Sequence, residues 1–221
     1  MDFTVDFLNN KNLMEGENQI PEIKVILLGE AAVGKTSIIR RYYDETFDFN
    51  ESSTISMSYV DKVVELNEKK YKLIIWDSIG QETYRAVTKL FLKNSKLVIL
   101  VYSIDDKKSF DNLKFWYELY EKELSQEAVL GILGNKSDLI NNIQVTFQEA
   151  SDFAESKGAI FTELSAKENP EMISYFVMDL LKAYLIKSGE EKPERNQSIK
   201  LEENNNNKKK GGCCLSSKNN K

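Results

Sequence analysis

The residues with the clearest chemical potential lie between Gly29 and Thr36, in the stretch GEAAVGKT. This stretch follows an apolar run and precedes apolar residues at helical spacing, so it matches the pattern G-x-x-x-x-G-K-[ST] between a strand and a helix. Its glycines let successive backbone N–H groups and the helix amino terminus point into one concavity, which is suited to phosphate. Lys35 would reach the β and γ phosphates of a nucleotide, and the Thr36 hydroxyl would hold Mg²⁺. The alternative is a glycine-containing turn whose lysine points to solvent.

Two later strand ends bear on the choice of nucleotide. They carry NKSD at residues 135–138 and SAK at residues 165–167. The Asp138 carboxylate can accept hydrogen bonds from guanine N1–H and the N2 amine together, whereas adenine has neither donor there. Asn135 would brace the loop and contact N7. Each stretch alone also fits a surface turn, but together and in order they favour a guanine nucleotide and argue against a P-loop kinase or ATPase.

Apolar runs and amphipathic segments alternate along the chain, which predicts a mainly parallel sheet with helices on both faces. Two runs flanking NEKK should pair antiparallel through a tight turn. One continuous helix is expected over SFDNLKFWYELYEKEL. The last helix should start at Asn169 as the cap and Pro170 as its first residue, with a buried stripe of apolar pairs. The predicted strands lie within IKVILL, YVDKVVEL, YKLIIWD, KLVILVYS, AVLGIL and AIFTEL.

Length and composition favour one domain. We expect a flexible extension over residues 1–19, a domain over residues 20–187 and a disordered tail over residues 188–221. No apolar run approaches the length of a membrane span, and the first residues lack a signal-peptide pattern, so we expect a cytosolic chain. The sequence contains no histidine, which excludes catalytic triads, histidine bases and His-ligated metals.

The charge is distributed unevenly between the body and the tail. Residues 187–221 carry nine Lys and Arg against five Asp and Glu, while the whole chain has a net charge of −5. The acidic body argues against nucleic-acid binding. The basic tail, with Cys213 and Cys214, suits an anionic membrane surface. The alternative is a solvated end without a partner.

Over nearly all of residues 20–187 the chain resembles the Ras-like small GTPases, and within them the Rab family. The nucleotide motifs of that family appear in order as GEAAVGKT, Thr54, DSIGQE at residues 77–82, NKSD and SAK. The resemblance implies the P-loop small GTPase fold, a six-stranded, mostly parallel sheet with one antiparallel edge strand and helices on both faces. It also implies a GTP/GDP switch that uses Mg²⁺, hydrolyses GTP slowly to GDP and phosphate, and recruits effectors in vesicle trafficking.

The resemblance assigns roles to individual residues. Thr36, Thr54 and Asp77 would hold Mg²⁺, the last of them through water. Gln81 would orient the attacking water, with Lys35 and Thr54 completing the catalytic set. Other implied contacts are those of Phe47 beside the guanine, the Gly80 N–H on the γ-phosphate, the Ala166 N–H on guanine O6 and Lys167 on the base or ribose side. The full nucleotide-binding set is Gly29, Glu30, Ala31, Ala32, Val33, Gly34, Lys35, Thr36, Ser37, Phe47, Thr54, Gly80, Asn135, Lys136, Asp138, Ser165, Ala166 and Lys167.

Three aromatic residues, Tyr59, Trp76 and Phe91, fall where Rab proteins place an effector-reading surface; the alternative is that they only pack against the sheet. The partners implied are a nucleotide exchange factor, a GTPase-activating protein, effectors and, if the tail is prenylated, an escort protein and a GDP-dissociation inhibitor. The expected location is the cytosolic face of an endomembrane.

The chain departs from the family pattern near the γ-phosphate and in the tail. Ala31 and Ile79 replace smaller residues, and crowding there could displace the attacking water. The alternative function is therefore a GTP-binding recruitment module with negligible hydrolysis. Seven residues follow Cys214, so no C-a-a-X box exists, and palmitoylation is the alternative to prenylation of the pair.

Overall fold

The computed structural model describes residues 20–44, 46, 54, 58–78, 91–124 and 126–192. The chain divides into two units, Met1–Glu191 and Lys192–Lys221, and all but the last described residue belong to the first. The strands are β1 (Glu22–Leu28), β2 (Ser58–Leu66), β3 (Lys69–Asp77), β4 (Leu97–Ser103), β5 (Val129–Asn135) and β6 (Ile160–Glu163). The α-helices are α1 (Lys35–Asp44), α2 (Lys107–Asp111), α3 (Leu113–Leu124), α4 (Phe147–Ser156) and α5 (Pro170–Ser188), with a 3-10 turn at Ile140–Asn142.

The six strands form one sheet in the order β2-β3-β1-β4-β5-β6. Only the edge strand β2 runs antiparallel, against β3, and the other pairs are parallel. This arrangement confirms the predicted fold class. Because parallel strands end at one edge of a sheet, the segments that follow β1, β3, β5 and β6 meet there.

Side chains on the two faces of the sheet form two separate core layers. One layer contains Ile23, Val25 and Leu27 of β1 and lies under α1 and α5. The other contains Ile26 and Leu28 and lies under α2, α3 and α4. This alternation follows from the two-residue period of a strand that is covered on both faces.

The hairpin between β2 and β3 is tighter than the predicted NEKK turn. Its two turn residues, Asn67 and Glu68, have φ angles of 50° and 63°, and Lys69 and Lys70 already belong to β3. Two residues with positive φ give the turn a twist that matches the paired strands.

The predicted helix over residues 109–124 is divided. Helix α2 ends at Asp111 and α3 begins at Leu113, with Asn112 between them. The Phe115 N–H donates to the Asn112 carbonyl at 3.1 Å, a three-residue spacing that tightens the chain at this point. Asp106 caps α2, because its side chain accepts a hydrogen bond from the Ser109 N–H.

Helix α5 begins at Pro170, as predicted, and Asn169 is its N-cap residue, but the Asn169 side chain makes no capping hydrogen bond. Of the predicted apolar stripe, Met172 is exposed and Tyr184 is half-buried, whereas the remaining members lie in the core. The helix ends at Gly189, whose φ of 80° is the left-handed conformation common at helix ends. Among the described helices, none combines the length and apolarity needed to cross a bilayer.

Candidate nucleotide-binding site

The loop between β1 and α1 has a backbone that requires its two glycines. Gly29 has a φ of +152°, and a Cβ there would lie 2.2 Å from the Val101 carbonyl oxygen. Gly34 has a φ of +93°, and a Cβ there would lie 2.3 Å from Asn135 Nδ2. The loop is therefore pressed against the ends of β4 and β5, which leaves no room for a side chain at either position.

Lys35 is the first residue of α1, and its side chain reaches back across this loop. Its Nζ donates hydrogen bonds to the carbonyls of Gly29 at 3.1 Å and Glu30 at 2.8 Å. Burial lowers the pKa of Lys35 to about 8, while the negative charges of Asp77 and Glu30 act in the opposite direction. The buried ammonium group is thus held inside the concavity predicted to bind phosphate.

The other residues of the loop differ in exposure. Val33 is buried in the core layer under α1, whereas Ala31 and Ala32 are exposed, and Ala32 has a φ of 63°. Ser37 lies half-buried in the first turn of α1. The Glu30 side chain points toward α3, where its Oε1 accepts a hydrogen bond from the indole N–H of buried Trp116 at 3.3 Å. No sequence motif had indicated this contact.

The three predicted metal ligands meet at the start of α1. The Thr36 hydroxyl donates to Asp77 Oδ2 at 2.6 Å, and its oxygen lies 2.8 Å from the Thr54 hydroxyl oxygen. Asp77 is buried, and its second oxygen, Oδ1, is also buried and has no hydrogen-bond partner. Burial raises the pKa of Asp77, while the Thr36 hydrogen bond, Lys35 and Arg40 lower it.

These oxygen donors fit Mg²⁺. A buried carboxylate oxygen without a partner costs free energy unless a cation or a cation-bound water satisfies it. Mg²⁺ binds proteins through a few oxygen ligands and keeps waters and phosphate oxygens for the rest of its shell. Within the described residues there is no group of three or more His, Cys, Asp or Glu side chains that could hold a metal. A metal at this site would therefore be held by hydroxyls and one carboxylate.

Asn135, at the end of β5, joins two loops. Its Nδ2 donates to the Val33 carbonyl at 2.9 Å, and its Oδ1 accepts from the Ala166 N–H at 3.1 Å. Asn135 thus forms hydrogen bonds to both the phosphate loop and the SAK segment. The contacts of Asn135 with guanine N7 and of Ala166 with guanine O6 stay predictions.

Asp138 is oriented by the SAK segment. Ser165 Oγ donates to Asp138 Oδ1 at 2.6 Å, and Lys167 Nζ lies 3.8 Å from Asp138 Oδ2. Lys136 has a φ of 64° and its Nζ lies 3.9 Å from Asp105 Oδ1. The residues predicted to recognise the base are therefore adjacent in space, although 27 residues separate Ser165 from Asp138.

A further charged residue, Arg41, reaches the same segment from α1. Its Nε donates to the Ala166 carbonyl at 2.9 Å and its Nη2 to the Lys167 carbonyl at 2.9 Å. No sequence motif includes Arg41, and its position in the sequence indicates only a helix surface.

The three predicted effector aromatics are stacked in a row. The ring centroids of Tyr59 and Trp76 are 5.1 Å apart, and those of Trp76 and Phe91 are 5.4 Å apart. Trp76 and Phe91 pack against the second core layer, whereas Tyr59 is 59% exposed. The row thus extends from the core to the surface, so its members pack against the sheet and also present an aromatic face to solvent.

Several predicted residues lie outside the described part of the chain, and their roles stay predictions. They are Phe47, Ile79, Gly80, Gln81, Cys213 and Cys214.

Comparison with known proteins gives consistent matches. The Ras family model matches residues 24–185. Ras-related protein Rab-17 of Mus musculus is 38% identical over 181 residues, covering 80% of this chain and 84% of that protein. Ras-related protein Rab-22A of Homo sapiens is 38% identical over 156 residues, covering 71% and 80%. Ras-related protein Rab-21 of Homo sapiens is 40% identical over 159 residues, covering 72% and 70%.

The family match spans most of the chain and contains every described residue of the site. It does not favour the alternative of a binding module without hydrolysis. The chain belongs to the Ras family and is a Rab-like small GTPase.

Proposed function

We propose that this chain is a guanine-nucleotide switch of membrane trafficking, which binds GTP or GDP with Mg²⁺, hydrolyses GTP slowly and recruits effectors in its GTP form. The observation that carries the proposal is the meeting of Thr36, Thr54 and Asp77, whose oxygens come from three separate segments. Thr54 is the informative member, since it comes from the segment between α1 and β2 yet contacts the start of α1.

The phosphates would occupy the concavity between Gly29 and Thr36. Backbone N–H groups of the loop and the amino terminus of α1 would donate to phosphate oxygens. Lys35 would exchange its two loop carbonyls for the β and γ phosphates, a change that favours its charged form because an anion replaces neutral acceptors. Thr36, Thr54 and Asp77 would hold the metal, and bound Mg²⁺ supplies positive charge to the phosphate oxygens.

The base would lie between the NKSD and SAK segments. The Asp138 carboxylate would accept from guanine N1–H and N2, with the Ser165 hydroxyl keeping its orientation. Asn135 would hold the phosphate loop and the base loop at a fixed separation, because its amide already bonds to both. Phe47 and Lys167 would cover the faces of the base.

Hydrolysis converts GTP and water to GDP and phosphate, and the chain would contribute mainly position and charge. Gln81 would orient the attacking water, and Lys35 would stabilise the charge that develops on the phosphate oxygens. The chain itself supplies no residue assigned as an arginine finger. A GTPase-activating protein that inserts one would accelerate turnover by about 10³ to 10⁵.

The switch would depend on the contacts that the γ-phosphate adds. Thr54 and the Gly80 N–H would bind the GTP form and lose these contacts after hydrolysis, which changes the segments that carry them. The row of Tyr59, Trp76 and Phe91 lies on β2, on β3 and before β4, where effectors could read that change. An exchange factor would reset the chain by releasing GDP.

The tail would attach the switch to the cytosolic face of an endomembrane. Cys213 and Cys214 follow three consecutive lysines, so lipidation and attraction to anionic lipids would act together. The proposed organisation is a domain over residues 20–187 between an extension and this tail.

The proposal is tested by nucleotide binding to the full chain and to two threonine variants. Wild type should bind GTP and GDP in preference to ATP and should need Mg²⁺ for high affinity. Thr54→Ala should weaken GTP binding more than GDP binding, because only GTP brings the γ-phosphate. Thr46→Ala is the matched control, since Thr46 is exposed and its hydroxyl donates to Asp44 Oδ1. Equal binding of ATP and GTP, or equal effects of the two variants, would contradict the proposal.

A further inference from the structure

Arg41 connects the helix that starts the phosphate site with the segment that ends the base site. Its guanidinium donates through Nε to the Ala166 carbonyl and through Nη2 to the Lys167 carbonyl, both at 2.9 Å. Two bonds from the planar guanidinium to adjacent carbonyls fix both the distance and the direction between donor and acceptor. A flexible single-point donor would fix only the distance.

The same segment is held from its other side by Asn135. The Ala166 N–H donates to Asn135 Oδ1, and Asn135 Nδ2 donates to the Val33 carbonyl in the phosphate loop. Since the phosphate loop continues directly into α1, a closed circuit runs from Val33 through Asn135 and Ala166 to Arg41. The backbone N–H and carbonyl of Ala166 are therefore bonded to Asn135 and Arg41, which both adjoin the phosphate loop.

These bonds affect Asp138 indirectly, since none of them joins Arg41 to Asp138. Ser165, next to Ala166, donates to Asp138 Oδ1 at 2.6 Å and also accepts from the Lys167 N–H at 3.2 Å. A shift of the segment from Ser165 to Lys167 would therefore turn the Asp138 carboxylate away from the direction set by Ser165. Recognition by a carboxylate depends on direction as well as distance, because each of its hydrogen bonds must be well aligned.

Burial indicates why Arg41 acts on position more than on folding. Arg41 is half-buried at the edge of α1, so water can enter part of the space that this side chain leaves when it is replaced. Ala166 is 2% exposed, so its peptide has little access to water as a substitute partner. Losing Arg41 should therefore loosen the base segment while the core layers stay intact.

We infer that Arg41 is a positioning residue for guanine recognition, which aligns the segment from Ser165 to Lys167 so that Asp138 can accept both guanine donors. This inference rests on the proposed function, since it assigns the base to Asp138. It concerns discrimination among bases, which Arg41 would influence without touching the nucleotide.

The test compares GDP, IDP and ADP binding and dissociation for the full chain and its variants. IDP keeps the N1–H of the base but lacks the N2 amine, so the preference for GDP over IDP measures the second hydrogen bond to Asp138. Arg41→Met removes both donors, and Arg41→Lys can restore one of them. Lys187→Met is the matched control, because Lys187 Nζ donates to the Ala128 carbonyl at 2.8 Å, at the opposite end of β5 from Asn135.

Arg41→Met should release GDP faster by about 10- to 100-fold. This is the range expected when the nucleotide loses one hydrogen bond to a charged group, here the Asp138 carboxylate. The preference of this variant for GDP over IDP should fall, because IDP makes only one of the two hydrogen bonds to Asp138, so its release should rise by a smaller factor. The rate of GDP release from Arg41→Lys should lie between those of wild type and Arg41→Met. Arg41→Lys also replaces Arg41→Met in the test if Arg41→Met does not fold. Lys187→Met should leave the binding and release of all three nucleotides unchanged.

Two results would overturn the inference. One is unchanged GDP release in both Arg41 variants. The other is faster release of GDP and IDP by the same factor, which would mean that Arg41 only stabilises the fold. A wild-type chain that does not prefer GDP over ADP would instead overturn the proposed function, and that result is visible before any variant is compared.

Discussion

The Thr36 hydroxyl donates a 2.6 Å hydrogen bond to Asp77 Oδ2 across 41 positions of sequence. The contact depends on the register of β1 and β3, in which Leu27 pairs with Asp77. A one-residue slip would place the Asp77 side chain on the opposite face of the sheet. The packing of the central strands therefore determines whether the proposed metal site exists.

Asp77→Asn should stabilise the nucleotide-free chain while weakening its binding of Mg²⁺ and GDP. Burial raises the pKa of Asp77, so the folded state favours the neutral acid and stability falls as the pH rises through the folded pKa. Removing the charge should therefore raise the free energy of unfolding at neutral pH. Urea unfolding without nucleotide and titration of Mg²⁺ with GDP measure the two effects.

Asp44→Asn is the control for this substitution. The Asp44 carboxylate is exposed, and hydrogen bonds from the Thr46 side chain and backbone lower its pKa. Its stabilising effect is present above the unfolded pKa and is lost as the pH falls, the reverse of the Asp77 case. A stabilising Asp44→Asn, or Mg²⁺ binding unaffected by Asp77→Asn, would contradict this account.

Gly34→Ala should weaken GDP binding, whereas Gly158→Ala should not. Both glycines have positive φ, 93° and 62°, so both substitutions strain the backbone by about 1 kcal/mol. Only at Gly34 would the new Cβ collide with a neighbour, Asn135 Nδ2 at 2.3 Å, because nothing lies within 4 Å of a Cβ at Gly158. Thermal unfolding measures the backbone strain of each variant, and the GDP dissociation rate measures the effect of displacing Asn135. Equal GDP release by the two variants would show that the contact is unimportant.

Asp138→Asn should exchange guanine preference for xanthine preference. The carboxylate accepts from the N1–H and N2 amine of guanine, whereas an amide can donate to the O2 carbonyl that xanthine carries in place of that amine. We expect GDP affinity to fall by at least about 100-fold. Competition between GDP and XDP measures the exchange, and Asp179→Asn, on α5 with its carboxylate 3.8 Å from Lys182 Nζ, is the control. Loss of GDP binding without any gain for XDP would leave Asp138 as a structural residue.

Replacing Cys213 and Cys214 by Ser should release the chain from membranes. Two lipid chains anchor a protein stably, whereas one chain or a basic segment alone binds reversibly. Intact mass and membrane fractionation after expression in a eukaryotic cell measure lipid addition and location. A single Cys214→Ser should give partial release. An unmodified wild-type pair on membranes would contradict this prediction.

Local sequence patterns predicted the strands, the phosphate loop and the base segments, because the pattern that specifies each of them spans only a few consecutive residues. The structure brings Thr36, Asp77, Asn135 and Ser165 to one edge of the sheet, because parallel strands end together. The phosphate loop and the base segments were found from local motifs, whereas the metal role of Asp77 was implied by the family resemblance.

Contacts that depend on packing could not be predicted in this way. Arg41 and Ala166 are 125 positions apart in sequence, and their contact depends on the angle at which α1 crosses the sheet. The break at Asn112 was missed because that residue keeps a right-handed helical conformation, with φ −75° and ψ −8°, so the apolar periodicity continues through it. Asn169 has the residue type of a cap, but a φ of −126° and ψ of 61° leave its side chain without a capping bond.

The most direct test of the switch is single-turnover hydrolysis of Mg²⁺-GTP by the full chain, beside Gln81→Leu and Ile79→Ala. We expect slow but measurable formation of GDP and phosphate, a loss of about 100-fold in Gln81→Leu, and an equal or faster rate in Ile79→Ala, which restores the smaller residue of the family pattern. Tight GTP binding without cleavage by wild type, with cleavage appearing in Ile79→Ala, would contradict the account and make the chain a GTP-bound recruiting protein.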